Sequence, residues 1–445
     1  MRQVSFLALL FGPALAFASH SFAQTSLPGG GAQPPIGAHI IQRPTFSIVV
    51  PASNFQLPAE AGKTSHTNTR YILPQGLTGR PQGASPLTGP PFSGTGVETP
   101  ASLACLYGLA PVTAGCNPNS VTAVATGGSR AIALVDAYDY PTALADLQTY
   151  STQFGLPAPV LQQIYATSSG SCGGTAPPPD PTGGWEGEAA VDLQMAHAMA
   201  PKAALILVEA QSNSNADLIG AVRCANTMVA LAGGGEVSMS WGGAETASQL
   251  ANDIYFTKPN VVYFASSGDA PGVIWPSTSA NVVAVGGMSN SRNPTNFDFE
   301  HHSSWAEAGG GLSAVVARPS YQDSVAATVG SKRGVPDIAA VANPETGVWV
   351  WDSNPVTGVQ WYIYGGTSVA SPLVAGIVNS RASFKANTGA QLAGWYAAKA
   401  VGPTAYFAIA STGYCGPNAA YSVAPVWNFC VGAGVFPITN LPARR

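Results

Sequence analysis

Charged side chains are scarce in this sequence: Asp, Glu, Lys and Arg make up 9% of its 445 residues, where a globular chain ordinarily carries about a quarter. The formal net charge is −4, so no basic face is on offer and nucleic acid is not an expected partner. Beyond the N-terminus no run reaches about 18 uninterrupted apolar residues, so no membrane span is expected. Neither a CxxC pair nor a Cys/His cluster with metal-ligand spacing occurs, which removes the usual zinc readings. Histidine is also rare, at 6 positions. His20 falls in the leader, His39 and His66 in an irregular stretch, His197 inside a helical pattern, and His301 and His302 in a polar loop. None has the setting a Ser–His–Asp enzyme requires. Few charges also mean that, with every carboxylate protonated, only 18 Lys and Arg and 6 His repel one another. The chain can therefore tolerate acid, as can any weakly charged secreted protein.

Hydrophobic residues, at 46%, exclude a disordered chain, and the length allows one large core or several domains. Met1–Arg2, the apolar run Ser5–Leu15 and the small residues before Gln24 read as a secretory signal over 1–23, predicting a secreted or periplasmic protein. Six cysteines then fit an oxidising compartment. Many pairings are open; nearness in the chain favours Cys105 with Cys116, Cys415 with Cys430, and so Cys172 with Cys224. Residues 24–97 are rich in Pro, Gly and Ser and are expected to form a mostly irregular extension. Short runs such as Phe46–Pro51 could pack on the main body.

From residue 98 to 445 the pattern changes to one domain. Strand-length apolar runs at Ala131–Val135, Ala203–Glu209, Val237–Trp241, Val261–Ala265 and Val282–Val285 alternate with helical patterns at Thr142–Phe154, Glu186–Ala200 and Ala216–Ala232. That alternation predicts an α/β fold with a mostly parallel central sheet and helices on both faces.

Three motifs could carry chemistry. Gly365-Gly-Thr-Ser-Val-Ala-Ser-Pro372 places Ser368 at the start of an apolar helix, with glycines ahead of it that let a bound chain approach. An ordinary N-cap serine is the competing reading. Glu188 and Asp192 lie four apart on one helical face among Ala, Val, Leu and Met. Two ionised acids repel there, so one pKa of the pair is raised and a proton is shared in mild acid. Such a pair can take a proton from serine where histidine is already charged; a solvated helix face is the alternative. Asp269, in Ala265-Ser-Ser-Gly-Asp-Ala270, follows a strand at the end where α/β proteins build their sites. Either it closes a common turn, or, held protonated, it donates to a developing oxyanion.

With these motifs in this order, the chain resembles the sedolisin family of serine-carboxyl peptidases, relatives of the subtilisin fold. Val237-Ser-Met-Ser-Trp-Gly242, Trp275-Pro276, Val283-Ala-Val-Gly-Gly287, Gly309-Gly-Gly-Leu-Ser313 and Arg333-Gly-Val-Pro-Asp-Ile338 add to the match, which runs from about Thr99 to the C-terminal region. The resemblance implies a subtilisin-like fold and an acid-acting endopeptidase. In it Ser368 is the nucleophile, Glu188 its base, Asp192 the partner orienting Glu188, and Asp269 the oxyanion donor. It further implies a substrate cleft lined by Ser240, Trp241, Gly242, Gly243, Gly310 and Gly311, and protein or peptide substrates met by a monomer.

Two features depart from the family pattern. The positions that should hold a calcium ion carry Ala408 and Asn428. Without two carboxylates the site is expected to be lost, with a Cys415–Cys430 bond closing the loop instead. The stretch 24–97 is also too short and irregular for the large prodomain such precursors carry. A retired peptidase scaffold serving as a secreted binding module would explain both departures. Against it stand all four catalytic positions, intact.

Overall fold

A computed structural model describes residues 37–73, 89–354, 356, 358–400, 413–415, 421–422 and 427–435. The expected signal segment and Ala408 lie outside these residues. An eight-stranded sheet forms the centre. In spatial order it runs Val160–Tyr165, Ala204–Ala210, Ala131–Ala137, Gly235–Met239, Val261–Ser266 and Val283–Arg292, every neighbouring pair parallel. Phe299–Ser304 and Ile338–Val341 both pair with the last of these, antiparallel and parallel respectively.

Alternation along the strands explains the two cores. Ile132, Leu134, Leu205, Leu207, Val262 and Phe264 face one apolar cluster with residues of the helices Ala143–Phe154, Gly184–Met199 and Thr367–Ser380. Ala131, Ala133, Val135, Ile206, Val208, Val261 and Tyr263 face the other, with the helix Asn215–Leu231. Strands buried on both faces read as continuous apolar runs, which is why they were legible as strands but not as faces. Gly184–Met199 is buried along its whole length, its acids Glu186, Glu188 and Asp192 included. Asp180 holds its start by accepting the Trp185 N–H at 3.1 Å.

Two expectations are refined. Val237–Trp241 is not one strand: Gly235–Met239 ends and Trp241–Ala244 begins on either side of Ser240. The stretch 37–73 is more regular than its composition predicts. His39–Gln42, Ser47–Val50 and Arg70–Ile72 build a five-stranded sheet with Gln360–Gly365 and Val348–Asp352, while His66–Thr67 pairs with Trp241–Gly242. Each strand is too short to show a period of its own and is specified by its partner. The disulfides Cys105–Cys116, Cys172–Cys224 and Cys415–Cys430 all form. Among the described residues no helix is long and apolar enough to cross a membrane.

Candidate active site

Ser368 sits in the first turn of Thr367–Ser380, directly after the strand Gln360–Gly365. Gly366 makes the corner with φ of 109°, a conformation L side chains rarely adopt. Pro372, four residues beyond the serine, has no N–H to give the Ser368 carbonyl, so that oxygen is left out of the helical ladder. Ser240 Oγ lies 3.4 Å from it.

Glu188, Asp192 and Ser368 are all fully buried, and Asp269 is nearly so. Asp192 Oδ1 accepts from Ser240 Oγ at 2.5 Å, and Ser368 Oγ donates to Ser240 O at 2.8 Å. Ser240 thus bridges the acid and the serine, in the gap between two strands. Asp269 Oδ1 accepts from the Thr367 N–H at 2.7 Å and from Thr367 Oγ1 at 2.9 Å, which places this acid at the N-terminus of the serine's helix. Among the described residues its Oδ2 meets no hydrogen-bond donor, nor do Glu188 Oε1 and Asp192 Oδ2. Buried carboxylate oxygens without donors are expensive when ionised and cheap when protonated. Burial accordingly pushes the Glu188 carboxyl well above its usual range. The charges of Asp192 and Asp136 push it further, against the pull of the Ser368 hydroxyl. Asp192 is raised by burial and by Asp136, against the Ser240 bond. Asp269 rises to about 7 through burial, opposed by Arg70 and the Thr367 bonds.

His66 lies in the segment that pairs with Gly242, its Nδ1 3.1 Å from Thr67 O; His197 and His302 stand elsewhere. His197 Nε2 bonds Pro157 O at 3.0 Å, and His302 Nδ1 bonds Asn290 Oδ1 at 2.9 Å. Burial lowers their pKa values to about 4 and about 3. Neither can serve as a base for Ser368.

Of the six expected cleft residues, four line one groove. Ser240 has been described; the Trp241 indole is anchored on Val135 O at 2.7 Å. Trp241 and Gly242 form the strand that pairs with His66–Thr67, and a Cβ on Gly243 would come within 2.8 Å of Thr64 O. Gly310 and Gly311 are placed differently. Gly310 bridges Gly272 and packs on Phe429, where a Cβ would meet its carbonyl at 1.8 Å; Gly311 pairs with Val335. Among the described residues no hydrogen bond joins either to the segment in the groove.

That segment, residues 64–70, had no signal in the sequence. The Asn68 N–H reaches Ser368 Oγ at 3.2 Å and Glu188 Oε2 at 3.3 Å, and the Ser368 N–H donates to Asn68 O at 3.2 Å. Arg70 Nη2 donates to Asp269 O at 2.6 Å while Nη1 pairs with Glu307, and its guanidinium lies over the Trp305 ring. Asp136 was also missed. It is fully buried with neither oxygen hydrogen-bonded among the described residues, and burial raises it to about 8. An acid near the end of an otherwise apolar strand run was the available clue.

The central parallel sheet, with a buried serine at a helix start, defines the subtilisin-like fold. A profile described as the Subtilase family matches residues 187–405. Kumamolisin of Bacillus sp. (strain MN-32) is 28% identical over 282 residues, 57% of this chain and 48% of that protein. Sedolisin of Pseudomonas sp. (strain 101) is 29% identical over 188 residues, 40% of this chain and 31% of that protein. The chain spans less than half the length of either relative. The solved structure of Pseudomonas sedolisin, a serine-carboxyl proteinase complexed with two molecules of pseudo-iodotyrostatin, superposes with a TM-score of 0.59 at 24% identity. That match covers 77% of this chain and 96% of the other. The chain is thus similar in sequence to kumamolisin and sedolisin and shares the subtilisin-like fold.

Proposed function

We propose that the chain is a secreted, acid-acting serine-carboxyl endopeptidase. The observation that carries the proposal is the convergence of Ser368 and Glu188 on Asn68: its N–H spans Ser368 Oγ and Glu188 Oε2, and its C=O meets the Ser368 N–H. A bound peptide in this position has a nucleophile, a base and an oxyanion donor around one carbonyl. Ser368 attacks and forms an acyl-enzyme while Glu188 takes its proton. Asp192, steadied by Ser240, shares the proton and keeps the pair from carrying two charges in a dry site. Asp269, protonated below about pH 7, donates to the oxyanion beside the Ser368 N–H. Ionised, it could only accept, so activity is lost as pH rises.

Residues 1–23 act as the signal, 24–97 as an N-terminal extension, and 98–445 as the peptidase domain of a monomer acting on proteins or peptides. Calcium does not fit what remains of the family site. Asn428 brings an amide where a carboxylate is needed, and its Oδ1 accepts the N–H groups of Cys430 and Val431 at 2.9 and 3.0 Å. The Cys415–Cys430 bond closes the same loop.

The test is protein hydrolysis from pH 3 to 8 by the purified chain and by Ser368→Ala, with and without chelator. Activity confined to acid, absent from the variant and indifferent to chelator is expected. Equal activity in Ser368→Ala sinks the proposal. A folded but inert wild-type protein would move the weight to a retired scaffold.

A further inference from the structure

The segment lying in the groove also shows what the groove selects. His66 pairs with Gly242 and Thr67 with Trp241, antiparallel, as an extended peptide adds to an open strand. Asn68 O faces the bare side of Gly366, where a Cβ would stand 2.0 Å from it. The Asn68 side chain is buried at 1% exposure. Its Nδ2 donates to Ser266 Oγ at 2.9 Å and lies 3.5 Å from Ser240 O. A backbone carbonyl can only accept, and the Ser266 hydroxyl is here used as an acceptor, so the pocket asks for an N–H donor. An aspartate would set its carboxylate against the Ser240 carbonyl. A leucine would leave the fully buried Ser266 hydroxyl without its partner.

We propose that the cleft selects a carboxamide side chain, asparagine, on the acyl side of the bond it cuts, that Ser266 sets this preference, and that Asn68–Thr69 of the chain itself is the first such bond. The inference rests on the peptidase function proposed above. The Ser368 hydroxyl turns from Ser240 O to Glu188 and passes its proton there as Oγ bonds the Asn68 carbonyl carbon. The Asn68–Thr69 C–N bond breaks, and the proton leaves on the Thr69 amine. Water then attacks the ester, releasing Asn68 with a free carboxyl group and restoring the Ser368 hydroxyl. Downstream of the cut, Arg70–Ile72 stays paired with Ser47–Val50 and Gln360–Gly365. Nicking therefore has to be read on denatured chains.

The experiment shifts the full chain to pH 4 and follows it by intact mass and N-terminal sequencing. It also measures kcat/KM on peptides of sequence His-Thr-X-Thr-Arg and on a denatured protein. A product beginning at Thr69 is expected, absent from Ser368→Ala and slowed about tenfold in Asn68→Leu, which has no donor for Ser266 at any pH. Asparagine at X should exceed leucine about tenfold, and Ser266→Ala should erase that margin. Thermal midpoints of both variants check that they fold. Hydrolysis of the denatured protein with no asparagine preference, or a self-cut elsewhere than Asn68–Thr69, overturns this inference and leaves the peptidase function standing. No hydrolysis of any substrate overturns both.

Discussion

Glu236 offers a clean measurement of how this fold responds to pH. It lies near the start of the Gly235–Met239 strand, fully buried. Oε2 accepts from Asn379 Nδ2 at 2.7 Å, and among the described residues Oε1 has no hydrogen bond. Burial raises its pKa from 4.5 to about 8, against the Asn379 bond and the charge of Arg130. At pH 4 the carboxyl holds its proton in both folded and unfolded chains, so stability is complete. Between about pH 4.5 and 8 only the unfolded chain releases it, and stability falls by about 1.4 kcal/mol per pH unit. Above pH 8 both states are ionised and the decline ends, at a total of roughly 5 kcal/mol. Glu236→Gln keeps an oxygen for Asn379 and cannot ionise. Urea unfolding of the Ser368→Ala protein, followed by tryptophan fluorescence at pH 5, 6, 7 and 8, would be compared with and without Glu236→Gln. The two curves should diverge by about one proton's slope, the glutamine form becoming relatively more stable as pH rises. Curves that stay parallel would falsify the assignment and mean that Glu236 ionises within the fold at its ordinary pKa.

Three further outcomes follow from the same physics. Asp269→Asn leaves a permanent N–H donor, so hydrolysis should fall in rate yet lose its decline near pH 7; an unchanged alkaline limb would remove Asp269 from the oxyanion role. Arg333 and Asp337 form a fully buried ion pair at 2.6 Å, and Arg333→Met should destabilise by about 3–5 kcal/mol in urea unfolding because Asp337 loses its counter-charge and keeps the neutral Ala284 N–H and Tyr396 hydroxyl donors. A loss below about 1 kcal/mol would show that other donors satisfy that acid. Cys172 and Cys224 close a loop with a sequence separation of 52; replacing both with serine should lower stability by about 2–5 kcal/mol, and an unmoved unfolding midpoint would place the constraint elsewhere.

What could be read from the sequence was whatever carried its signal locally. Ser368 announces itself by the glycines before it and the apolar helix after it, Glu188 and Asp192 by a four-residue spacing, and Asp269 by the strand that precedes it. The parallel sheet was legible because doubly buried strands are short apolar runs. His66-Thr-Asn-Thr-Arg70 was not legible: its residues are polar, and their partners lie 120 to 300 positions away, at Glu188 and Ser368. Ser240 looked like strand interior because its neighbours are; only the arrival of Asp192 and Ser368 on either side shows why the strand breaks there. Gly310 and Gly311 follow the family pattern, yet their close packing on Phe429 and pairing with Val335 depend on chain brought from far away.

All six cysteines lie at or beyond Cys105, so no disulfide ties residues 37–68 to the rest of the chain. Their hold on the body is noncovalent: the pairing of Ser47–Val50 with Arg70–Ile72, the residue pairs His66–Gly242 and Thr67–Trp241, bonds of Lys63 and Ser65 to Asn213 and Asn215, the Arg43–Glu345 ion pair, and the contacts of Asn68 in the site. While the backbone is continuous, that grip is concentration-free, since both partners belong to one molecule. Once Asn68–Thr69 is cut, the same contacts become an association between two chains, and mass action governs them. Dilution then does what no contact within the intact chain can do: it empties the groove. Enzyme stored concentrated would stay blocked by its own fragment, and enzyme released into a large volume would open.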